Sequence, residues 1–103
     1  MIRFVEAPGF TARVHDYLDD AEYAALQWVL AFRPDAGDLI PGSGDLRKLR
    51  WRRSGHGKRG GGRIIYYWRS RAGEIWLLAI YAKSLATDIP REVLRRIRKE
   101  IEE

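Results

Sequence analysis

Residues 46–71 read LRKLRWRRSGHGKRGGGRIIYYWRSR, and the side-chain order within them sets the architecture of what surrounds them. The stretch carries ten Lys and Arg and no Asp or Glu, whereas the rest of the 103-residue chain carries nine basic and fourteen acidic side chains. A segment of +10 therefore sits in a body of −5. Its first part, residues 46–53, alternates as an extended chain does. Leu49 and Trp51 point one way with Arg47 and Arg53, and Lys48, Arg50 and Arg52 point the other. Residues 62–68 repeat the pattern, with Ile64, Tyr66 and Trp68 on one side and Arg63, Ile65 and Tyr67 on the other. Two strands are predicted, joined by the glycine-rich loop 54–61. Like charges that face each other across strands repel, so this density of cations within a sheet points to a polyanion as partner.

Working outward, residues 69–73 form a tight link in which Gly73 is free to take positive φ. Residues 74–83 (EIWLLAIYAK) are apolar almost throughout, the mark of a strand covered on both faces. Upstream, residues 34–45 concentrate Pro, Gly, Asp and Ser and read as an intradomain loop. Before it, Tyr23, Leu26, Val29, Leu30 and Phe32 mark a helix that Asp19-Asp20 caps and Pro34 stops. Phe10, Val14, Tyr17 and Leu18 mark an earlier helix on one face, with Pro8 near its start. Ile2 and Phe4 alternate with Arg3 and Val5 in a short first strand. At the other end, Thr87-Asp88 caps a helix with the apolar stripe Val93, Leu94, Ile97 and Ile101. The order is strand, helix, helix, three strands, helix. It predicts one α+β domain: an antiparallel meander plus an N-terminal strand, with the helices on one face and Lys48, Arg50, Arg52 and Arg63 on the other.

Composition narrows the chemistry. With no Cys there are no disulfides, thiolate metal sites or thiol nucleophiles, in keeping with a reducing cytosol. No apolar run approaches the ~18 residues of a membrane span, and MIRFVEAPGF lacks a signal-peptide core, so a cytoplasmic protein with no membrane partner is expected. No pair of carboxylates lies in the basic region, which leaves carboxylate-pair glycosidase and metal-carboxylate nuclease chemistry without residues there.

The glycines between the two basic strands do not follow a nucleotide-binding pattern. A phosphate-binding P-loop needs Ser or Thr after its GK and a helix beyond it; the dinucleotide signature needs a strand-to-helix junction. A flexible hairpin and a phosphate cradle both remain open, since free backbone amides beside Lys58 and Arg59 serve either. Alternating Arg on a solvated sheet face, which also guards against aggregation, is the plainer reading of the first basic strand. His15 falls in an amphipathic helix as a boundary residue, and His56 lies in the basic loop.

Three strings, GSGDLRKLR (42–50), GKRGGGRIIYY (57–67) and LLAIYAK (77–83), together with the element order, resemble the RelE/HigB superfamily of bacterial toxin–antitoxin toxins, nearest its HigB-type branch. The resemblance implies a ribosome-dependent mRNA endonuclease that needs no metal or other cofactor. In this family the ribose 2′-OH attacks the adjacent phosphate and leaves a cyclic phosphate. By position it assigns Lys48 and Arg50 to the catalytic basic strand, Arg63 to phosphate binding and Lys83 to the basic position at the end of the next strand. Lys48 is the better base, because an ammonium crowded by positive charge gives up its proton more readily. Arg52, Lys58, Arg59, Tyr67 and Tyr81 are the RNA-binding candidates beside them. The chain departs from the best-studied RelE branch at Ser84, where that branch has a further arginine, and near Ile89-Pro90, where it has a stacking tyrosine. The implied partners are mRNA on the ribosome, with contacts to 16S rRNA, and a cognate antitoxin, HigA-like with a helix-turn-helix domain. The alternatives are a non-catalytic RNA-binding relative and a gyrase-directed one.

Overall fold

In the computed structural model, which describes residues 1–51, 62–82 and 89–101, the two alternating runs are antiparallel strands. In chain order the elements are β1 (Arg3–Glu6), α1 (Pro8–Tyr17), α2 (Asp20–Phe32), β2 (Asp38–Leu39), β3 (Arg47–Trp51), β4 (Gly62–Arg69), β5 (Glu74–Tyr81) and α3 (Arg91–Ile101). The sheet runs β1-β5-β4-β3-β2 and is mixed: β1 lies parallel to β5 and every other pair is antiparallel. A 3₁₀ turn, Ser70–Ala72, joins β4 to β5. It ends on Gly73 at φ 66°, a left-handed conformation that costs other residues roughly 1–2 kcal/mol.

The alternation carries through to packing. Leu49, Trp51, Ile64, Tyr66, Trp68, Ile75, Leu77 and Ile80 meet Phe10, Val14, Leu18, Leu26 and Leu30 of the helical hairpin in the larger core. α2 starts where Asp19 closes a reciprocal cap: its carboxylate accepts from the Glu22 amide at 2.8 Å, and Glu22 accepts from the Asp19 amide. Glu6, at the end of β1, accepts hydrogen bonds from Thr11 (2.6 Å) and Tyr23, which tie the strand to both helices. Those two hydroxyls hold the Glu6 carboxyl below its usual range.

The helices do not all lie on one face. α3 crosses to the opposite side, where Leu94 and Ile101 pack on Leu46, Ile65 and Leu78. Three layers result, helix hairpin, sheet and single helix. The reason is in β5, whose other face presents Trp76, Leu78, Ala79 and Tyr81, an apolar surface that has to be covered. A bulge sharpens this: Ile65 pairs with Ala79 and Tyr66 with Leu77, so Leu78 is the extra residue. Both Leu78 and Ala79 belong to the α3 side. Burying Leu94 and Ile101 there stabilises the domain by about 2 kcal/mol for each side chain.

The loop expected at 34–45 contains the short strand β2, which pairs Asp38 with Lys48 and Leu39 with Arg47. It is held from behind by Tyr66. The buried Tyr66 hydroxyl accepts from the Gly37 amide at 2.8 Å and donates to the Pro34 carbonyl at 2.7 Å. Gly37 has to be glycine: a Cβ there would meet Tyr66 Cε1 at 2.9 Å and the Lys48 carbonyl oxygen at 3.0 Å.

Candidate functional site

The side chains expected to carry chemistry share the α3 face of the sheet. Register places Arg50 directly opposite Arg63, and Arg63 directly opposite Tyr81, in one row across β3, β4 and β5. Residues in such a row have Cβ atoms about 5 Å apart. Two residues away along the strands, Asp38, Lys48, Ile65 and Ala79 form the next row. Arg50 and Arg63 thus face each other as like charges, an arrangement that destabilises a sheet unless an anion lies between them. Among the described residues no carboxylate pairs with either.

A cleft of about 880 Å³ opens over these rows, between β2–β3 and the start of α3. Lys48, Arg50, Tyr81, Arg91 and Asp38 supply its polar lining; Ile40, Ile65, Ile89 and Leu94 supply apolar wall. Arg50 is exposed, Lys48, Arg63 and Tyr81 are half-buried, and the Tyr81 hydroxyl is buried. Guanidinium groups side by side bind a phosphate through paired hydrogen bonds, and the apolar wall excludes water from one side, which strengthens the attraction. An ammonium, a phenol and a carboxylate stand in the same cleft as proton donors and acceptors.

Not every cation of the basic segment is available for this. Arg47 points to the other face and donates to the carbonyls of Gly37 (2.7 Å) and Asp35 (3.3 Å), bracing the turn before β2. Arg69 reaches Glu74 and the Ile101 carbonyl and lies over Trp76. Glu74 also accepts from Arg3 and from the Trp76 indole, and these hydrogen bonds, the indole's first, keep its carboxyl below the usual range. Tyr67 stays outside the cleft. Its hydroxyl is 3.1 Å from Arg98, whose guanidinium lies 4.2 Å over the ring, so one stacking face is already taken. Arg98 also donates to the Gly44 carbonyl at 2.8 Å, locking α3 to the turn before β3.

Of the nine candidates, the structure brings Lys48, Arg50, Arg63 and Tyr81 together and sets Tyr67 apart under α3. Arg52, Lys58, Arg59, Lys83 and also His56 and Ser84 lie outside the described residues. His15 is exposed on α1, its Nδ1 3.8 Å from Asp20. Two cleft residues escaped the sequence reading. Asp38 sits on a strand too short to show alternation, and Arg91 opens a helix whose charges resemble an ordinary solvated face. Ile89, noted only as a departure from a tyrosine, is a wall of the cleft. Among the described residues no cluster of three or more His, Asp or Glu side chains is placed to hold a metal ion, and no helix is long and apolar enough to cross a membrane. No family model matches the chain.

Proposed function

We propose that this chain is a RelE/HigB-type toxin, a ribosome-dependent mRNA endonuclease that cuts the codon in the A site. The observation that carries the proposal is the Arg50–Arg63 cross-strand pair, with Arg50 and its neighbour Lys48 lining an open cleft, and without a carboxylate partner for either arginine among the described residues. In this reading the phosphate at the cleavage point binds between the two guanidiniums. The ribose 2′-oxygen attacks phosphorus while its proton passes to a base, the bond from phosphorus to the 5′-oxygen breaks, and that oxygen takes up a proton. The products are a cyclic phosphate and a free 5′-hydroxyl. Charge gathers on the phosphoryl oxygens in the transition state, and fixed arginines stabilise it without reorganising. Lys48 is the proposed base; Asp38, its neighbour across β2 and β3, is a further proton acceptor in the cleft. Lys83, outside the described residues, belongs to the same proposed set by resemblance, as do Arg52, Lys58 and Arg59 for RNA binding.

The proposed partners follow: mRNA and 16S rRNA on the ribosome, and an antitoxin that shields the basic cleft until it is removed. Inducing the protein in a bacterial host and mapping mRNA 5′ ends on ribosomes tests the reading. Codon-phased cuts are expected, and their loss in Arg63→Ala. Growth arrest without such cuts overturns it and favours a non-catalytic or differently targeted relative. For the base, single-turnover cleavage in Lys48→Ala should fall strongly while ribosome binding changes little. Equal loss of both reduces Lys48 to phosphate positioning and leaves Asp38→Asn as the next variant to assay.

A further inference from the structure

The basic cleft does not end at Arg91. Beyond it a second hollow, of about 530 Å³, lies between the turn at residues 42–44 and α3, lined by Arg95, Arg96, Arg98 and Lys99 against a single carboxylate, Glu92. The two hollows follow one seam between residues 40–44 and α3. Ile40 and Pro41 border the first with Arg91, and Gly42 to Gly44 border the second with Arg95 and Lys99. They meet where the Arg91 guanidinium passes over Gly42, near enough that a Cβ there would touch Arg91 Nη1 at 3.7 Å. Glycine also shapes the second hollow. A Cβ on Gly44 would stand 2.8 Å from Arg98 Cγ; without one, Arg98 lies across the turn, donates to the Gly44 carbonyl and is fixed over Tyr67.

Arg91, Arg95 and Lys99 follow one another at intervals of four residues, about 6 Å along the helix, and all three are exposed. Like charges at that spacing repel and weaken a helix. Among the described residues no carboxylate pairs with any of them. We propose that the row is a phosphate track. The RNA strand that occupies the cleft under the proposed function, on which this inference rests, runs on past Arg91 and lays its next phosphates against Arg95, Arg98 and Lys99. Two features favour this occupant. The apolar wall of the cleft stops at Leu94, and among the described residues no apolar side chain lines the second hollow. A protein partner anchors through buried apolar or aromatic groups, whereas a phosphodiester backbone needs only charge and forked donors. The seam also opens into the cleft at Arg91, so the strand already held there reaches it without a second molecule. Contacts of this kind position a strand and read no bases.

Fluorescence-anisotropy titration of the full chain, without ribosomes, against end-labelled single-stranded 2′-O-methyl RNA of about 4 and about 12 nucleotides tests this. The blocked 2′-oxygen prevents attack, so binding is read apart from cleavage. The longer strand should bind more tightly and with a steeper salt dependence. Arg95→Gln with Lys99→Gln, at unchanged circular dichroism, should make the log–log salt slope of the longer strand shallower by about 1.4, two phosphate contacts at about 0.7 each, and leave the shorter strand as it was. Arg13→Gln with Arg33→Gln removes the same charge from exposed positions on the helical hairpin and should alter neither slope. An unchanged slope in the first double variant, equal loss for both strand lengths, or equal loss in both double variants overturns the track. Tighter binding of a duplex of the same length overturns it in favour of a folded RNA, and displacement by polyglutamate as effective as by unlabelled strand overturns it in favour of an acidic protein. Codon-phased cuts with an unchanged slope remove the track alone; the expected slope without such cuts supports the track and removes the nuclease alone.

Discussion

Replacing Tyr66 by Phe removes one oxygen atom from the centre of the domain and leaves the packing of the ring intact. That oxygen accepts from the Gly37 amide and donates to the Pro34 carbonyl, and the ring itself is fully buried. The variant strands a buried backbone N–H and loses a second hydrogen bond to a carbonyl. The net cost is about 2–4 kcal/mol, more than two ordinary hydrogen bonds contribute, because the amide keeps its desolvation penalty. For a domain of this size each kcal/mol lowers Tm by roughly 4–5 °C, so thermal unfolding should move down by roughly 8–20 °C. A total stability of the usual 5–15 kcal/mol, roughly, leaves the variant folded at room temperature. The same oxygen sets an alkaline limit. Burial raises the Tyr66 pKa above 10 in the folded state, so its contribution is complete below about pH 10 and is lost as pH rises through the folded value. Wild type and Tyr66→Phe should therefore converge in urea midpoint above pH 10. Gly37→Ala, which drives a methyl into the same ring and the Lys48 carbonyl, should destabilise comparably. A Tm change below about 3 °C in Tyr66→Phe refutes the idea that this hydroxyl holds the turn that carries β2.

Other outcomes follow from the same contacts. Asp19→Ala should cost about 1 kcal/mol through loss of the reciprocal cap of α2, read as a lower urea midpoint with an unchanged slope. Arg98→Ala removes the tie from α3 to Gly44 and the cover over Tyr67; a loss of about 1–3 kcal/mol is expected, and hydrogen exchange should quicken in α3 ahead of the helical hairpin. Glu74 has a folded pKa below the usual 4.5, so its contribution is present above that pH and disappears as pH falls through the folded value. Glu74→Gln should be less stable than wild type at neutral pH, and the two should converge in acid unfolding curves.

How much of this was legible beforehand follows from the kind of signal each element carries. Period-two alternation in residues 46–53 and 62–68 assigned Leu49, Ile64, Tyr66 and Trp68 to the core and Lys48, Arg50 and Arg63 to the other face, and packing agrees at each position described. The helical hairpin, the Asp19 cap and the positive φ of Gly73 were equally readable, because caps, apolar stripes and turn residues act within a few residues of themselves. The doubly apolar β5 carried a further message, that both faces are covered, which a single layer of helices does not satisfy.

The sequence by itself determined which side chains share a face and where the positive charge concentrates, since backbone geometry repeats every two or 3.6 residues. Only the tertiary structure decided which face α3 covers. It also brought the two-residue β2 to the edge of β3, set Asp38 beside Lys48, and placed Arg91 and Ile89 at the cleft. Those placements depend on contacts between segments tens of residues apart, and neither propensity nor periodicity reports a distance of that kind. The same holds within the basic segment of residues 46–71. Its alternation divides it into two faces, but tertiary contacts alone distinguish the arginines that brace the fold, Arg47 and Arg69, from the pair Arg50 and Arg63 that faces the cleft side of the sheet.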